Sequence, residues 1–316
     1  MLRVGMIGAG IIAKNHADAL KDNEGVVLAA VADIVPARAE ALGQAYRARA
    51  YTDYREMIQQ EKLDIALINL PHGLHAEAAV FCAQNGLHVF LEKPMANTVA
   101  DCRAIIEACE RHRVTLMVGH IQGYMARNIQ ARELVQSGRY GTLASVTEVR
   151  NVHYFAPERP AWFFDPALSG GGIVMNYGAH SIDRICFVSG LAVTDLKAQV
   201  RQHLSGYEIE GSAQILLGLE QGVSAVISYT GYRVPTYHET TFYLTEGVVQ
   251  LSADGALRVS LGGAFEQVAV PGGGQEFVLM WRDFCDAIRQ GTTPRASGAY
   301  GLEIIRWIER IYAQGG

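Results

Sequence analysis

The feature that most constrains this chain is a glycine-rich turn that joins a short apolar segment to a helical pattern. Residues 4–7 predict a buried parallel strand, and Gly8, Gly10 and Ala13 follow in the spacing G-x-G-x-x-A. Gly8 permits a tight turn, Gly10 lets the backbone approach a phosphate, and the small Ala13 allows helix and strand to pack closely. The pattern predicts a dinucleotide site with a pyrophosphate at the helix N-terminus.

An acidic residue, Asp33, follows the second apolar segment at 26–32. A dinucleotide-binding unit places there the carboxylate that binds the ribose hydroxyls. Because a carboxylate would repel a 2′-phosphate, NAD is favoured over NADP. The alternative is that Asp33 caps a helix beginning near Pro36. The residues predicted to contact the cofactor at this end are Gly8, Gly10, Ile11, Ile12 and Asp33.

Length and composition narrow the class of protein. The 316 residues have room for two domains, and 49% hydrophobic with 19% charged residues are typical of a globular protein. A net charge of −5 and the lack of Lys/Arg clusters argue against nucleic acid as a partner. Without a charged leader or a bilayer-length apolar stretch, we expect a cytoplasmic protein that does not bind membranes. The five cysteines lack C-x-x-C spacing, so we interpret them as core residues and predict no metal site.

The first part of the chain alternates apolar strands with amphipathic helices, which predicts a doubly covered parallel sheet. Strands are predicted at 3–7, 26–32, 65–70, 88–92 and 115–119. A helix at 98–112 is predicted to begin at Thr98 as its N-cap. We therefore expect an N-terminal Rossmann domain over residues 1–120.

From Thr142 onward, strand patterns dominate and predict an α+β domain at 121–316 with a mostly antiparallel open sheet. Turns are predicted at 220–222 and 246–247, and the glycines at 272–274 precede final helices able to pack back on the Rossmann domain. Tyr229, Tyr243 and neighbouring Thr and Ser positions are expected to form a mixed outer sheet face. This face predicts a homodimer or homotetramer, and an ordinary solvated face is the alternative.

The tripeptide Glu92-Lys93-Pro94 ends the predicted strand at 88–92. Ligands bind at the carboxyl edge of an open parallel sheet, so Lys93 is expected near the nicotinamide. It could hydrogen-bond a substrate hydroxyl, and its charge would favour a developing alkoxide. The alternative interpretation is a solvated surface lysine.

Several motifs occur in an order that resembles the Gfo/Idh/MocA family, named for glucose-fructose oxidoreductase and inositol dehydrogenase. After the glycine turn and Asp33 come L-P-H-G-L-H at 70–75 and G-L-H-V-F-L-E-K-P at 86–94. G-G-G follows at 170–172, and N-Y-G-A-H-S-I-D at 176–183. The resemblance covers most of the chain and implies the same two-domain fold.

The resemblance also implies roles for individual residues. Lys93 and His180 match the lysine and histidine that attend the carbinol being oxidised. Asn176 stands where many relatives have Asp, and an amide can orient a hydroxyl but cannot hold a charge. Asp183, on the same predicted helix face as His180, could partly replace that carboxylate; capping or an ion pair with Arg184 is its alternative role.

Further residues are assigned at lower specificity. Leu70, Pro71, His75 and Glu92 are expected in the cofactor loops, with His75 shaping one of them. The predicted substrate-binding residues are Lys93, His120, Tyr124, Tyr154, Trp162, Asn176, His180 and Asp183, with Arg159 as a further specificity candidate.

The implied function is an NAD-dependent dehydrogenase that transfers hydride between the cofactor and a secondary alcohol of a sugar, cyclitol or related polyol. Two alternatives stay open. One is an NAD-dependent glycosidase that oxidises its substrate transiently, and the other is a non-catalytic dinucleotide or sugar sensor.

Overall fold

The computed structural model describes residues 1–315 of the chain and divides them into two compact units. The first unit comprises Met1–His120 and Gln275–Ile305. The second comprises Ile121–Gly274 and the residues from Arg306 onward. Within the described residues, no helix has the length and apolar character that crossing a membrane requires.

The first unit is built on a six-stranded sheet in which all neighbouring strands run parallel. Its strands are β1 (Leu2–Ile7), β2 (Val26–Ala32), β3 (Arg49–Tyr51), β4 (Ile65–Ile68), β5 (His88–Leu91) and β6 (Leu116–Val118). The strand order β3-β2-β1-β4-β5-β6 is that of a Rossmann fold, so the predicted class of this unit is confirmed. The predictions missed β3, which is short and lies at the edge of the sheet.

Five helices follow strands of this sheet or connect them: α1 (Ile11–Lys21), α2 (Pro36–Tyr46), α3 (Tyr54–Gln60), α4 (His75–Gln84) and α5 (Val99–His112). The predicted start of α5 is confirmed, because the Thr98 hydroxyl accepts the backbone N–H of Asp101 at 3.0 Å. Cys102, Ile105 and Cys109 form its buried stripe.

The second unit contains an eight-stranded sheet in the order β14-β13-β12-β11-β7-β10-β9-β8. Its strands are β7 (Leu143–Asn151), β8 (Val193–Arg201), β9 (Ser212–Leu219), β10 (Ser224–Thr230), β11 (Tyr237–Leu244), β12 (Gly247–Leu251), β13 (Leu257–Ser260) and β14 (Glu266–Val268). The sheet is antiparallel except that β10 runs parallel to β7. The mostly antiparallel class is confirmed.

In the second unit, α6 (Ala126–Gln136) precedes β7, and α7 (Pro166–Ser169) and α8 (Ala179–Ser189) follow it before β8. A π-helical turn over Val174–Gly178 leads into α8. α6 contacts both α8 and β12. The chain ends with α9 (Glu276–Gln290), which packs on α1 in the first unit, and α10 (Gly298–Gly315), which belongs partly to each unit.

One prediction about the sheet surface is wrong. Tyr229 is buried, because Ala225, Ile227 and Tyr229 all point to the inner face of β10. The outer face instead carries Leu216 and Val226, which are 44% and 45% exposed and are paired across β9 and β10. Tyr243 is exposed as predicted.

Candidate active site

The glycine turn after β1 has the geometry that a dinucleotide requires. Gly8 adopts φ 94°, and a Cβ there would lie 2.7 Å from the carbonyl oxygen of Asn69. Gly10 is the N-cap of α1, and a Cβ on Gly10 would meet no atom within 4 Å. The space beside Gly10 at the N-terminus of α1 is therefore open, and a helix N-terminus has backbone N–H groups without intrahelical partners, which fits a pyrophosphate.

Asp33 follows β2 and binds the same turn. Its Oδ2 accepts the backbone N–H of Ala9 at 2.8 Å, and its Oδ1 accepts that of Val35 at 2.8 Å. Val35, rather than Asp33, is the N-cap of α2, so the capping alternative does not describe this carboxylate. The neighbouring Ile34 is 90% exposed, and Ile11 is 86% exposed. A dinucleotide would cover apolar surface that is otherwise in water.

The loops after β4 and β5 are tied together by His75. Its Nε2 lies 2.9 Å from the carbonyl oxygen of Leu70, and its Nδ1 lies 3.0 Å from that of Pro94. Burial lowers the pKa of His75, and the neutral ring donates to one of these carbonyls at a time. His75, at the start of α4, thus anchors the loop of Leu70 and Pro71 to the segment that follows β5.

The buried carboxylate of Glu92 is held by hydrogen bonds that begin at a tryptophan. The indole N–H of Trp281, on α9, donates to His16 Nδ1 at 3.0 Å, and His16 Nε2 lies 2.8 Å from Glu92 Oε1. Because an indole can only donate, the ring proton of His16 is on Nε2, facing the carboxylate. Although burial opposes ionisation, the His16 hydrogen bond and the charge of Lys93 hold the pKa of Glu92 below its usual range.

Lys93 lies two residues beyond the end of β5 and is half-buried. Its backbone N–H donates to Glu92 Oε2 at 3.1 Å, and its peptide bond to Pro94 is cis. His120, two residues beyond β6, is buried against the ring of Tyr300. Burial and the positive charge of Lys93 lower the pKa of His120 to about 3. The carboxyl edge of this sheet therefore holds a lysine beside a neutral imidazole.

The second unit places Asn176, His180 and Asp183 on one continuous helical segment. Asn176 lies in the π-helical turn, and the other two residues lie in α8. The side-chain amide nitrogen of Gln122 lies 3.3 Å from His180 Nδ1, and the backbone N–H of Gln122 donates to Asp183 Oδ2 at 3.2 Å. Gln122 thus contacts both predicted residues of α8. Tyr124 is buried in the same 3-10 turn as Gln122.

Several predicted specificity residues form one aromatic cluster in the second unit. The guanidinium of Arg159 lies 4.1 Å from the ring centroid of Tyr154 and 4.8 Å from that of Phe163. Trp162 stacks on Phe163 with ring centroids 3.8 Å apart. Burial raises the pKa of Tyr154, while a hydrogen bond with Asn176 opposes the shift. The cluster is therefore contiguous with the π-helical turn.

A second buried carboxylate shapes the loop before this turn. Glu210 accepts the backbone N–H groups of Gly172 and Val174, each at 2.7 Å, and the hydroxyl of Tyr312 at 2.8 Å. A Cβ on Gly172 would lie 2.1 Å from the carbonyl oxygen of Glu210, so this approach requires glycine. The G-G-G sequence thus brings the backbone to Glu210 immediately before Asn176.

Four residues of these networks were not predicted from the sequence: His16, Trp281, Gln122 and Glu210. His16 lies on the buried face of α1, where a polar residue breaks the apolar pattern, and this was the only signal for it. Gln122, Glu210 and Trp281 carry no periodic or motif signal. Among residues 1–315, no group of three or more His, Cys, Asp or Glu side chains could hold a metal ion.

These features define a dinucleotide-binding protein with a Rossmann unit and a second unit built on an open sheet. Residues 2–120 match the oxidoreductase family with an NAD-binding Rossmann fold, and residues 128–250 match the GFO/IDH/MocA C-terminal domain. The chain belongs to the Gfo/Idh/MocA family of oxidoreductases, as its motifs predicted.

Individual relatives are similar over different lengths. A D-apiose dehydrogenase of Paraburkholderia graminis is 30% identical over 97% of this chain and 86% of its own length. A 1-carboxy-3-chloro-3,4-dihydroxycyclohexa-1,5-diene dehydrogenase of Comamonas testosteroni is 28% identical over 73% of this chain, but the match spans only 58% of that protein. The crystal structure of an aldose-aldose oxidoreductase from Caulobacter crescentus, complexed with glycerol, superposes with a TM-score of 0.91 at 26% identity, covering 99% of this chain and 97% of that one.

The pKa of His120 predicts loss of stability in mild acid. Between its unfolded value of 6.5 and its folded value of about 3, the unfolded chain binds a proton that the folded unit excludes. Stability is therefore full above pH 6.5 and falls on acidification, by about 1.4 kcal/mol per pH unit for this group. In thermal unfolding from about pH 7 to about pH 5, His120→Asn should flatten the decline. The exposed His112→Asn control should keep the wild-type slope, and equal slopes for all three proteins would contradict the assignment.

Proposed function

We propose that this protein is an NAD-dependent dehydrogenase that oxidises a secondary alcohol of a sugar, cyclitol or related polyol. The observation that carries the proposal is the position of Lys93. It follows β5 at the carboxyl edge of a Rossmann sheet, and its backbone is bonded to a buried, hydrogen-bonded carboxylate. A lysine anchored at this edge is suited to act on a hydroxyl of a bound substrate.

The residues around the glycine turn would hold the cofactor. The N-terminus of α1 at Gly10 would take the pyrophosphate, and Asp33 would take the ribose hydroxyls. When bound, NAD supplies the acceptor for the hydride that leaves the carbinol carbon. Both Asp33 oxygens accept backbone N–H groups, which fixes the carboxylate beside the turn, where it would repel a 2′-phosphate and favour NAD over NADP.

On the substrate side, we propose that Lys93 and His180 act on the same hydroxyl, as family membership implies. Lys93 manages the hydroxyl proton, His180 and Asn176 orient the oxygen, and Tyr154, Trp162 and Arg159 contribute to specificity. The D-apiose dehydrogenase and the aldose-aldose oxidoreductase are named for sugars, which supports a polyhydroxylated substrate. Amide, imidazole, amine and phenol groups can match several hydroxyls, and a missing hydroxyl would leave polar groups unpaired.

A substrate screen tests the proposal directly. Inositols, aldoses, sugar acids and amino sugars are incubated separately with NAD and NADP while reduced nicotinamide is followed by absorbance. We expect free NADH from at least one unglycosylated polyol. Glycoside cleavage without net NADH would support the transient-oxidation alternative, and dinucleotide binding without turnover of any compound would support a sensor.

Replacing the proposed proton-handling lysine should separate turnover from cofactor binding. Lys93→Met is expected to lower kcat by about 100-fold or more, because proton transfer is lost, while the NAD dissociation constant stays near the wild-type value. Lys62→Met, at an exposed position, is the matched control and should leave both quantities unchanged. A parallel loss of NAD affinity in Lys93→Met would make Lys93 a cofactor or structural residue.

Replacing Asp33 should shift the choice of cofactor. Asp33→Ala removes one ribose acceptor and one repulsive charge, so the ratio of kcat/KM for NADP to that for NAD should rise by about tenfold. Asp53→Ala, which removes an exposed N-cap carboxylate of α3, should leave the ratio unchanged. An unchanged ratio in a folded Asp33→Ala protein would remove Asp33 from the ribose site.

We also propose that the outer face of the eight-stranded sheet binds a second copy of this chain. Its exposed apolar residues Leu216 and Val226 lie in register on neighbouring strands, which favours a self-complementary contact. Light scattering should show a dimer or tetramer, and Leu216→Asp should dissociate it. Leu204→Asp, at a similarly exposed residue outside the strands, is the control. A fully active wild-type monomer at micromolar concentration would contradict this proposal.

A further inference from the structure

Gln122 is a buried amide, only 4% exposed, in the 3-10 turn that precedes α6. A buried primary amide must be oriented by its partners, because its oxygen only accepts hydrogen bonds and its nitrogen only donates them. Gln122 has side-chain partners on three sides: Asn128, Arg184 and His180. Whether Asn128 and Arg184 donate or accept determines which end of the Gln122 amide faces His180.

The amide of Asn128 has a defined orientation. Its Nδ2 lies 3.0 Å from the backbone carbonyl oxygen of Gln122, and a carbonyl oxygen can only accept. The same Nδ2 lies 2.9 Å from Gln122 Oε1. The Asn128 group that faces the Gln122 side chain is therefore a donor.

Arg184 is the second donor. Its Nε lies 3.1 Å from Gln122 Oε1, and a guanidinium has no acceptor. Burial lowers the pKa of Arg184 to about 10, and the negative charge of Glu148 opposes the shift, so this group is a cation at neutral pH. Two donors thus converge on one atom of Gln122. That atom must be the amide oxygen.

The nitrogen of the Gln122 amide then faces His180. Nε2 of Gln122 lies 3.3 Å from His180 Nδ1, and because it donates, Nδ1 must accept. A proton on Nδ1 would point an N–H group at another N–H group. The neutral imidazole therefore carries its proton on Nε2.

From this geometry we propose that Gln122 is a positioning residue that fixes His180 as the Nε2–H tautomer, so that His180 donates a hydrogen bond to the substrate oxygen and does not remove its proton. This inference rests on the proposed dehydrogenase function. A histidine base would need the opposite tautomer, with Nδ1–H facing an acceptor. Asn176, which cannot hold a negative charge, is consistent with a ring that stays neutral.

With His180 as a hydrogen-bond donor, the proton and the hydride that leave the carbinol each have an acceptor. The O–H bond of the carbinol breaks and its proton passes to the amine of Lys93, which first releases its own ammonium proton to solvent, while the C–H bond breaks and hydride leaves with two electrons to NAD. The oxygen becomes a carbonyl. His180 keeps its proton throughout and stabilises the alkoxide as negative charge develops.

Nitrogen NMR of the histidine ring tests the tautomer without any substrate. The full-length protein is labelled with ¹⁵N-histidine, and the His180 signals are assigned by their loss in His180→Gln. We expect Nδ1 to show the shift of an unprotonated ring nitrogen and Nε2 that of a protonated one. A protonated Nδ1 in the wild-type protein would overturn the proposal.

Gln122→Glu provides the opposite test, because a carboxylate of the same shape accepts from Nδ1–H. The His180 proton should move to Nδ1, and kcat should fall about 100-fold while the NAD dissociation constant is retained. Gln44→Glu, which adds the same charge at an exposed position of α2, should change neither. An unchanged tautomer in folded Gln122→Glu would also overturn the proposal.

Gln122→Met is the substitute variant if Gln122→Glu does not fold. It should give a mixture of His180 tautomers, because no donor then faces His180 Nδ1. The NMR result is independent of the substrate screen. Turnover of a polyol together with a protonated Nδ1 would defeat only this inference. An Nε2–H tautomer without dehydrogenase activity would defeat only the proposed function.

Discussion

The first unit depends on one interaction, the hydrogen bond between the buried carboxylate of Glu92 and His16. A carboxylate without partners at this depth would be protonated or would destabilise the fold, so its partners are a structural requirement. Trp281, on α9 and far from His16 in sequence, donates its indole N–H to His16. Its indole ring also packs on Phe90 of β5. Residues 275–305 therefore belong to the same unit as residues 1–120, and the loop that carries Lys93 starts from a fixed point.

The second unit also contains a buried carboxylate that needs partners, Glu148 of β7. Its carboxylate accepts from the hydroxyls of Ser181 and Thr240, with Arg184 and His238 close by. Although burial opposes ionisation, His238 and Arg184 hold the pKa of Glu148 well below its usual range. Because Ser181 and Arg184 lie on α8, this network fixes the helix against the sheet. In both units an ionised carboxylate in the core thus aligns the segment that carries a proposed reacting group.

The parts of this structure that were predictable follow local rules. A short stretch of consecutive residues is enough to predict each of these features: the turn at Gly8, the N-cap at Thr98 and the strands β1, β2, β4, β5 and β6. The edge strand β3 has three residues and no buried stripe, so it leaves no periodic signal. The burial of Tyr229 depends on which face of β10 packs against the core. The parallel pairing with β7 depends on which strand lies beside β10 in the sheet. Alternation alone does not specify these choices. Glu92 pairs with His16, and Gln122 with His180, through tertiary contacts between residues far apart in sequence. No sequence motif predicts these contacts.

The account is tested most directly by following a hydrogen atom from substrate to cofactor. A polyol that is active in the screen is deuterated at its carbinol carbons and incubated with NAD in ordinary water, and the NADH formed is analysed by mass spectrometry. The account predicts NADH that carries one deuterium, together with slower formation than from the undeuterated polyol in a single turnover. NADH without deuterium would contradict direct hydride transfer, and so would the absence of NADH with every polyol tested.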